Sequence, residues 1–377
     1  MTRPGNGART INGPCVVGWS VVSPLGMGRE SFVAGWRSGR TGQYPPDGAA
    51  ATVGYPLADF DPTRLIGTKG TRTLDRMTLM VIATTAMVLA EHGPAAGDER
   101  NQVGLVLGTS TGSLASITNF LRDTFVQDKP FHVDPAAFPN TVMNGAAGRT
   151  AIWHGLRGPN STVSGGHVTG LSALRYASRM IRRGYADTLL VGAVEELSEP
   201  VAWAAAQLRG DAAGRDPAEF TPMGEGCVAF LLDDATAAER SGRRPLAELV
   251  DFEFGVTDVD RDRRAQSRRL AAAIETLLTR TGTDPVDLWL VSLAGSGDGG
   301  LDEAERSAVD QVLVGSDRPR RVAVSGQVGN TFSALGAFQL AAVLAEAQRA
   351  GGEPLGRPAL ITSLGVDGAV ACALVRV

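Results

Sequence analysis

The sequence has few of the residues on which thiol and metal chemistry depends. Its 377 residues include only three cysteines, Cys15, Cys227 and Cys372, and four histidines. No CxxC pair occurs, and no two histidines lie four residues apart. An odd number of widely spaced cysteines argues against a disulfide framework, and the spacing of the histidines argues against a zinc site. We therefore predict no metal and no cofactor.

Long apolar runs and an excess of basic residues are also missing. Lys and Arg total 36 against 40 Asp and Glu, a net charge of −4, whereas a nucleic-acid-binding face needs a positive surplus. No apolar run reaches the roughly 18 residues that a membrane span requires. The opening stretch MTRPGNGARTINGP is polar and rich in glycine, unlike a signal peptide or an anchor. We expect a cytoplasmic protein that binds neither nucleic acid nor a membrane.

What the sequence does contain is an alternation of strand and helix patterns. An apolar run over residues 15–22 predicts a buried strand, and apolar residues at helical spacing over 74–92 predict a long helix. The later part of the chain repeats the theme, with helices predicted at 264–280 and 334–349 and a strand at 288–293. Such alternation favours an α/β protein with predominantly parallel sheets.

The repetition of this theme predicts two similar halves. A charged stretch over residues 233–246 lies between them and is typical of a solvated connector. We therefore divide the chain into residues 1–235 and 236–377. The length of the chain also exceeds the usual size of a single core, as two packed α/β units would require.

Several sequence motifs occur in an order that is typical of one enzyme family. VGLVLGTSTGSL, HGLRGPN, TVSGGHVTG, FTPMGEG and VSGQVGNTFSALGA follow one another along the chain, which resembles the β-ketoacyl synthases of the thiolase fold over nearly its whole length. The resemblance implies two similar α/β halves whose mostly parallel sheets sandwich central helices. It also implies a site in which a cysteine, two histidines and a lysine accept an acyl chain from a carrier protein and condense it. Asp302, Glu305 and Glu225 match acidic residues that mark the family's fold.

All four positions that carry this chemistry in the family are changed here. The resemblance places His167 at the position of the cysteine. It places Ala294 and Asn330 at the positions of the histidines and Ser325 at that of the lysine. The three cysteines lie in predicted strands, where a free cysteine behaves as a buried hydrophobe. The changes imply that the condensing reaction has been lost while the fold is retained.

This pattern resembles the chain length factors, the partners of type II polyketide ketosynthases. Such a subunit pairs with an active ketosynthase and shapes the acyl tunnel, where bulky side chains stop elongation by clashing with the growing chain. The resemblance implies a heterodimer that works with acyl carrier protein in polyketide biosynthesis, in the branch that makes polyenes or other reduced chains. The expected interface is centred on residues 131–165. The candidate chain-length residues are Ile117, Phe120, Leu121 and Phe125, and the candidate interface residues are Phe131, Phe138 and Asn144.

Other interpretations of these residues stay open. The apolar residues of the helix predicted over 113–126 are also typical of ordinary core packing. His167 either polarises a substrate from a helix N-terminus, where a neutral ring is favoured, or fills an unused site and bonds to a backbone carbonyl. The chain is alternatively a stand-alone enzyme that uses His167, beside Asn330, for decarboxylation or acyl transfer. A further alternative is a non-catalytic module that binds acyl carrier protein.

Overall fold

The computed structural model describes residues 13–43, 54–57, 59–94, 97–210, 221–258, 262–314, 319–349 and 356–377, which form thirteen strands and thirteen α-helices. The strands are β1 Cys15–Ser23, β2 Gly26–Met27, β3 Gly54–Tyr55, β4 Gly104–Gly108, β5 Asn160–Val163, β6 Thr188–Glu195, β7 Met223–Gly224, β8 Gly226–Asp233, β9 Ala247–Val256, β10 Leu290–Leu293, β11 Arg320–Ala323, β12 Pro358–Leu364 and β13 Ala369–Arg376. The helices are α1 Arg29–Arg37, α2 Thr63–Ile66, α3 Arg76–Glu91, α4 Asp98–Asn101, α5 Leu114–Val126, α6 Gly145–His154, α7 Thr169–Arg182, α8 Glu199–Gly210, α9 Ala235–Ser241, α10 Arg263–Thr281, α11 Gly299–Val312, α12 Ser325–Val328 and α13 Leu335–Arg349.

Ten of these strands form two five-stranded units with the same internal order. The first unit runs β5-β4-β6-β8-β1 and the second runs β11-β10-β12-β13-β9. In each unit four strands point the same way, and only β8 or β13 is antiparallel to both of its neighbours. A short antiparallel pairing of β1 with β9 joins the two units. The prediction of two similar halves with mostly parallel sheets is confirmed.

The halves stack with helices on both outer faces and between the sheets. The residues of β1 face two different helix layers. Cys15 and Val17 pack in an outer cluster with α3 and α6, while Val16 and Trp19 pack in a central cluster between the sheets. The central cluster contains α7 and α13 together with residues of both sheets. Helices α10 and α11 cover the outer face of the second sheet. The period-two burial of the strands thus fixes which face meets which helix layer.

The two central helices approach each other through glycine. A Cβ atom on Gly170 of α7 would lie 2.7 Å from the backbone nitrogen of Ala337. A Cβ atom on Gly336 would lie 2.9 Å from the backbone nitrogen of Leu171. Any larger side chain would force the helices apart, so these positions set the spacing of the central layer. This layer carries His167 at the start of α7.

The charged stretch over residues 233–246 is not the plain connector that the sequence predicts. Asp233 is fully buried at the end of β8 and pairs with Arg243 over 2.7 Å. Asp234 caps α9 by accepting the backbone N–H of Thr236. The stretch therefore contains a helix held by specific polar contacts. The division at residues 235/236 falls at the first residue of α9 and stays a prediction.

Other predicted elements agree with the structure within a few residues. The helix predicted over 74–92 is α3, which begins one residue after its N-cap, Asp75. Helix α6 begins at Gly145, and a 3₁₀ turn, Phe138–Asn140, precedes it. Within the described ranges, no helix combines the length and the apolarity needed to cross a membrane.

Candidate functional site

A sharp turn between β5 and α7 carries His167. Gly166 has a φ of +60°, a conformation that L side chains rarely adopt. His167 follows in a short 3₁₀ turn, Gly166–Val168, that leads directly into α7. The hydroxyl of Thr169 donates to the carbonyl oxygen of Gly166 over 2.7 Å and accepts the N–H of Gly165 over 2.8 Å. The turn is therefore a fixed structure that presents one side chain at the start of a helix.

The imidazole of His167 is buried beside an aromatic ring. It is 7% exposed, and its ring meets the ring of Phe332 edge to face with centroids 4.5 Å apart. Burial lowers the pKa of His167 to about 4, although the carboxylates of Asp367 and Asp298 act in the opposite direction. The ring is therefore neutral at pH 7. No described residue forms a hydrogen bond with the ring, so the backbone-carbonyl bond expected of a filler residue is not formed.

Asn330 holds the neighbouring loop instead of reaching His167. Its Nδ2 donates to the carbonyl oxygen of Ser296 over 2.6 Å, and its Oδ1 accepts the N–H of Phe332 over 2.9 Å. Phe332 has a φ of +46°, which is unusual for a residue with a side chain. Both ends of the amide are thus occupied, and the pair of Asn330 with His167 that the sequence interpretation required is not formed. Phe332 is the contact that sequence reasoning missed.

Ala294 and Ser325 place no titratable group at the remaining two positions. Ala294 is buried in the turn that follows β10. Ser325 begins α12, and its hydroxyl donates to the carbonyl oxygen of Gly295 over 2.5 Å. Neither side chain takes up or releases a proton near neutral pH. A decarboxylation that depends on an imidazole or an ammonium group at these positions therefore has no residue to support it.

Two acidic residues hold the turn that contains Ala294. Glu305 accepts the backbone N–H of Ala294 over 3.0 Å and the hydroxyl of Thr362 over 2.7 Å. Burial raises the pKa of Glu305 to about 7, against the lowering effect of these hydrogen bonds. Asp302 accepts the N–H of Gly297 over 3.2 Å. These contacts agree with the structural role that the sequence interpretation gave to both residues.

Glu195 is a buried carboxylate that sequence reasoning missed. It lies at the end of β6 and accepts the backbone N–H of Ser110 over 2.7 Å. It also accepts hydrogen bonds from the hydroxyls of Thr111 and Ser333. The loop after β4 is thereby joined to the loop that presents Phe332. The available signal was the pair Glu195 and Glu196 at the end of an apolar strand, since a buried carboxylate needs several hydrogen-bond partners.

Glu225 has the structural role that the sequence predicts. Its carboxylate is buried and forms two bonds to Arg76, from Nε to Oε2 over 3.0 Å and from Nη2 to Oε1 over 2.6 Å. It also accepts the backbone N–H groups of Leu57 and Leu197 over 2.7 and 3.1 Å. One carboxylate therefore ties together α3, the segment after β3 and the segment after β6.

The three cysteines cannot replace a missing nucleophile. All are buried in strands β1, β8 and β13. Burial raises the pKa of the Cys15 and Cys227 thiols to about 12 and also raises that of Cys372. Because the thiolate is the nucleophile, these thiols are inert in the folded chain at neutral pH.

The chain matches known proteins along most of its length. The family model for the N-terminal domain of β-ketoacyl synthases matches residues 15–238. This chain belongs to the β-ketoacyl synthase family. The solved ishigamide ketosynthase/chain length factor is 36% identical and superposes with a TM-score of 0.83, over 97% of this chain and 99% of that one. The 3-oxoacyl-[acyl-carrier-protein] synthase 2 of Vibrio harveyi is 28% identical over 348 residues, 85% of this chain and 82% of its own length.

A more distant structure shares the fold alone. It is a type II polyketide ketosynthase, AntDE, in complex with its acyl carrier protein, AntF, and bound to a hexaketide. It is 19% identical and superposes with a TM-score of 0.79, over 97% of this chain and 99% of that one. Together these likenesses identify the architecture as the thiolase-like ketosynthase fold.

Helix α5 exposes three of its large apolar side chains, Leu121, Phe125 and Val126. None of its residues is buried, and Phe125 is 85% exposed. Ile117 and Phe120 are half-buried, and the Phe120 ring lies 6.0 Å from that of Phe138. Ordinary core packing is therefore the wrong interpretation of the helix within this chain. We name its exposed surroundings the apolar face, which comprises Leu121, Phe125, Val126, Phe131, Phe138, Val142 and Met143.

The predicted interface residues lie on or beside this face. Phe131 and Phe138 belong to it, and Asn144 is exposed at the N-terminus of α6. Large exposed apolar patches on monomeric proteins are typical of binding surfaces. The side chains of the apolar face are large and apolar, fall within residues 121–143 and are each at least 36% exposed. Their use as chain-length or interface residues stays a prediction.

Proposed function

We propose that this chain is a non-condensing subunit, similar to a chain length factor, that pairs with an active ketosynthase in type II polyketide biosynthesis. The observation that carries the proposal is the state of the four family positions. His167 is buried and neutral, Ala294 and Ser325 have no titratable group, and Asn330 is engaged by two backbone contacts. A thioester cannot form on these side chains, nor can a malonyl group be decarboxylated by them in the family's way.

The apolar face supports a heterodimer. Its seven side chains would be covered by a partner subunit, where they could also line the partner's acyl tunnel. Ile117, Phe120, Leu121 and Phe125 then become the residues whose bulk limits chain length. The 36% identity of this chain to the solved ishigamide ketosynthase/chain length factor supports this assignment. We further propose a cytoplasmic complex that elongates polyene chains on an acyl carrier protein.

A second candidate function rests on the unbonded ring of His167. No described residue hydrogen-bonds the imidazole, so one nitrogen is free to donate and the other to accept. A substrate carbonyl within reach of the donor would be polarised in a stand-alone decarboxylase or acyl transferase. The occupied amide of Asn330 weakens this candidate, because no second polar side chain supports the ring.

The first experiment is tagged purification from the native host, followed by native mass spectrometry. An equimolar partner with an intact Cys-His-His site is expected, and the pair should extend an acyl chain with malonyl-carrier protein. The chain alone should acquire no acyl adduct by intact mass when it is incubated with acyl-carrier protein. A homodimer that condenses or decarboxylates by itself would overturn the proposal. Loss of that activity in His167→Ala would establish the second candidate instead.

A further inference from the structure

A row of three arginines lies along one face of α7 and its C-cap residue. Arg175, Arg179 and Arg183 are four residues apart, which places them one above another on the helix. With Val163, Tyr176 and Tyr185 they line a groove of about 470 Å³. We name these three residues the arginine row.

Part of the arginine row lies near acidic side chains, because Arg175 and Arg179 line a second groove with Asp251 and Glu253 of β9, both of which pair with Arg280. The row itself is not ion-paired within the described chain. None of its guanidinium groups forms an ion pair with a described carboxylate. Arg175 lies over the ring of Phe254, with its guanidinium carbon 4.8 Å from the ring centre, while Arg179 and Arg183 are exposed. Neighbouring Arg182, on another face of the helix, is satisfied by two backbone carbonyl oxygens at 2.9 Å. The row therefore presents three positive charges to whatever covers the groove.

The groove borders the free edge of the first sheet. Strand β5 ends the strand order and bonds only to β4 among the described strands. The hydroxyls of Ser161 on β5 and Tyr176 on α7 lie 3.3 Å apart, so α7 lies directly beside this edge. On the other side of the edge, Ile152 of α6 is 83% exposed. An unpaired edge with apolar flanks is a template for pairing with another chain.

Pairing of β5 with a second copy would bring two arginine rows together. Antiparallel pairing of identical edge strands uses a two-fold axis through the edge, so the same surface of each copy meets itself. Each α7 would then lie on the same side of the joined sheet, with its row facing the other. Six positive charges near one axis repel one another, and opposing like charges are an effective means of excluding a partner.

We propose that the arginine row excludes self-pairing at the β5 edge and accepts carboxylates from the active ketosynthase subunit. The inference rests on the proposed function, because it takes that subunit as the occupant. Charge complementarity argues for an occupant with acidic side chains opposite the row, and the adjoining edge and Ile152 argue for a folded subunit with its own edge strand. The row thus disfavours a second copy of this chain and favours the active ketosynthase subunit, although both have the same fold.

Self-association of the purified chain tests the first part. Sedimentation velocity in 50 mM and 500 mM NaCl should find tighter self-association at high salt, because salt screens the repulsion. The double variant Arg179→Gln/Arg183→Gln should dimerise at least about tenfold more tightly than the wild type at low salt. Arg244→Gln, which neutralises an exposed arginine outside the groove, should not change the association constant. An unchanged double variant would overturn the exclusion.

Co-purification from the native host tests the second part. Arg179→Glu/Arg183→Glu should recover at least about tenfold less ketosynthase than the wild type, and Arg179→Lys/Arg183→Lys should restore recovery. If the wild type captures no ketosynthase, the proposed function fails. If wild type and charge reversal capture it equally, the proposed function stands and this inference fails. Selective loss of acyl carrier protein in the reversed variant would also overturn it, by assigning the row to the carrier. Unchanged circular dichroism and thermal unfolding of each variant exclude misfolding as the cause.

Discussion

Acidification should destabilise the folded chain through His167. In the unfolded chain the imidazole has its ordinary pKa of 6.5, whereas burial lowers the pKa in the folded chain to about 4. Between these two values the unfolded chain binds the proton more readily, so the free energy of unfolding falls as the pH falls. One unit of pKa difference corresponds to about 1.4 kcal/mol. The loss should therefore reach roughly 2 kcal/mol at pH 5 and about 3 kcal/mol below pH 4.

Urea unfolding of the wild type and of His167→Gln between pH 7.5 and 4.5 measures this loss. The variant retains a polar side chain without a titratable group, so the difference between the two profiles isolates the imidazole. His132→Gln removes a histidine from an exposed loop and should follow the wild type. Buried carboxylates such as Glu305 titrate in all three chains and cancel in the comparison. Parallel profiles for the wild type and His167→Gln would refute the assignment of a buried, neutral ring.

Three further predictions follow from buried charge, exposed apolar surface and thiol burial. Arg76→Ala should lower the free energy of unfolding by roughly 3 kcal/mol, because the buried Glu225 carboxylate loses its ion pair, and Arg76→Lys should lose less in thermal denaturation. Phe125→Ser should change the free energy of unfolding by less than about 0.5 kcal/mol yet reduce capture of the ketosynthase, whereas equal capture would remove the ring from the interface. Iodoacetamide should add no mass to the native chain but three adducts in urea, and a native adduct would contradict the burial of the thiols.

The sequence predicts the layered fold well because burial leaves a periodic pattern. The long helix over 74–92 and the helices that become α10 and α13 each bury a regular set of apolar side chains. Side-chain partners far apart in sequence leave no such pattern. Glu195 and Ser333 are 138 residues apart, and only the folded chain brings them together. Helix α9 was missed for a different reason, because its local charge content is that of a loop.

The position of His167 followed from its motif, but the environment of its ring did not. Burial and the edge-to-face contact with Phe332 depend on the loop that Asn330 fixes. From the sequence alone, Asn330 is a polar residue at the position of a family histidine, so a hydrogen bond to the imidazole of His167 is expected. The apolar pattern of α5 was ambiguous for a related reason, because a side chain that packs inside the chain and one that packs against a partner have the same periodicity.

Two of the four family positions, Ser325 and Asn330, hold the backbone of their own chain, which supports the proposed function. Ser325 donates to the turn that holds Ala294, while Asn330 links two loops and fixes Phe332 in a left-handed conformation. Strained backbone persists only where its surroundings determine it. A site under selection for a new reaction would keep polar side chains free to meet a substrate, whereas here they are engaged in holding the backbone. The apolar face and the edge of β5 are left uncovered within the described chain, and they are the surfaces at which we propose that another protein binds. The contacts of this chain therefore favour an assembly role over chemistry of its own.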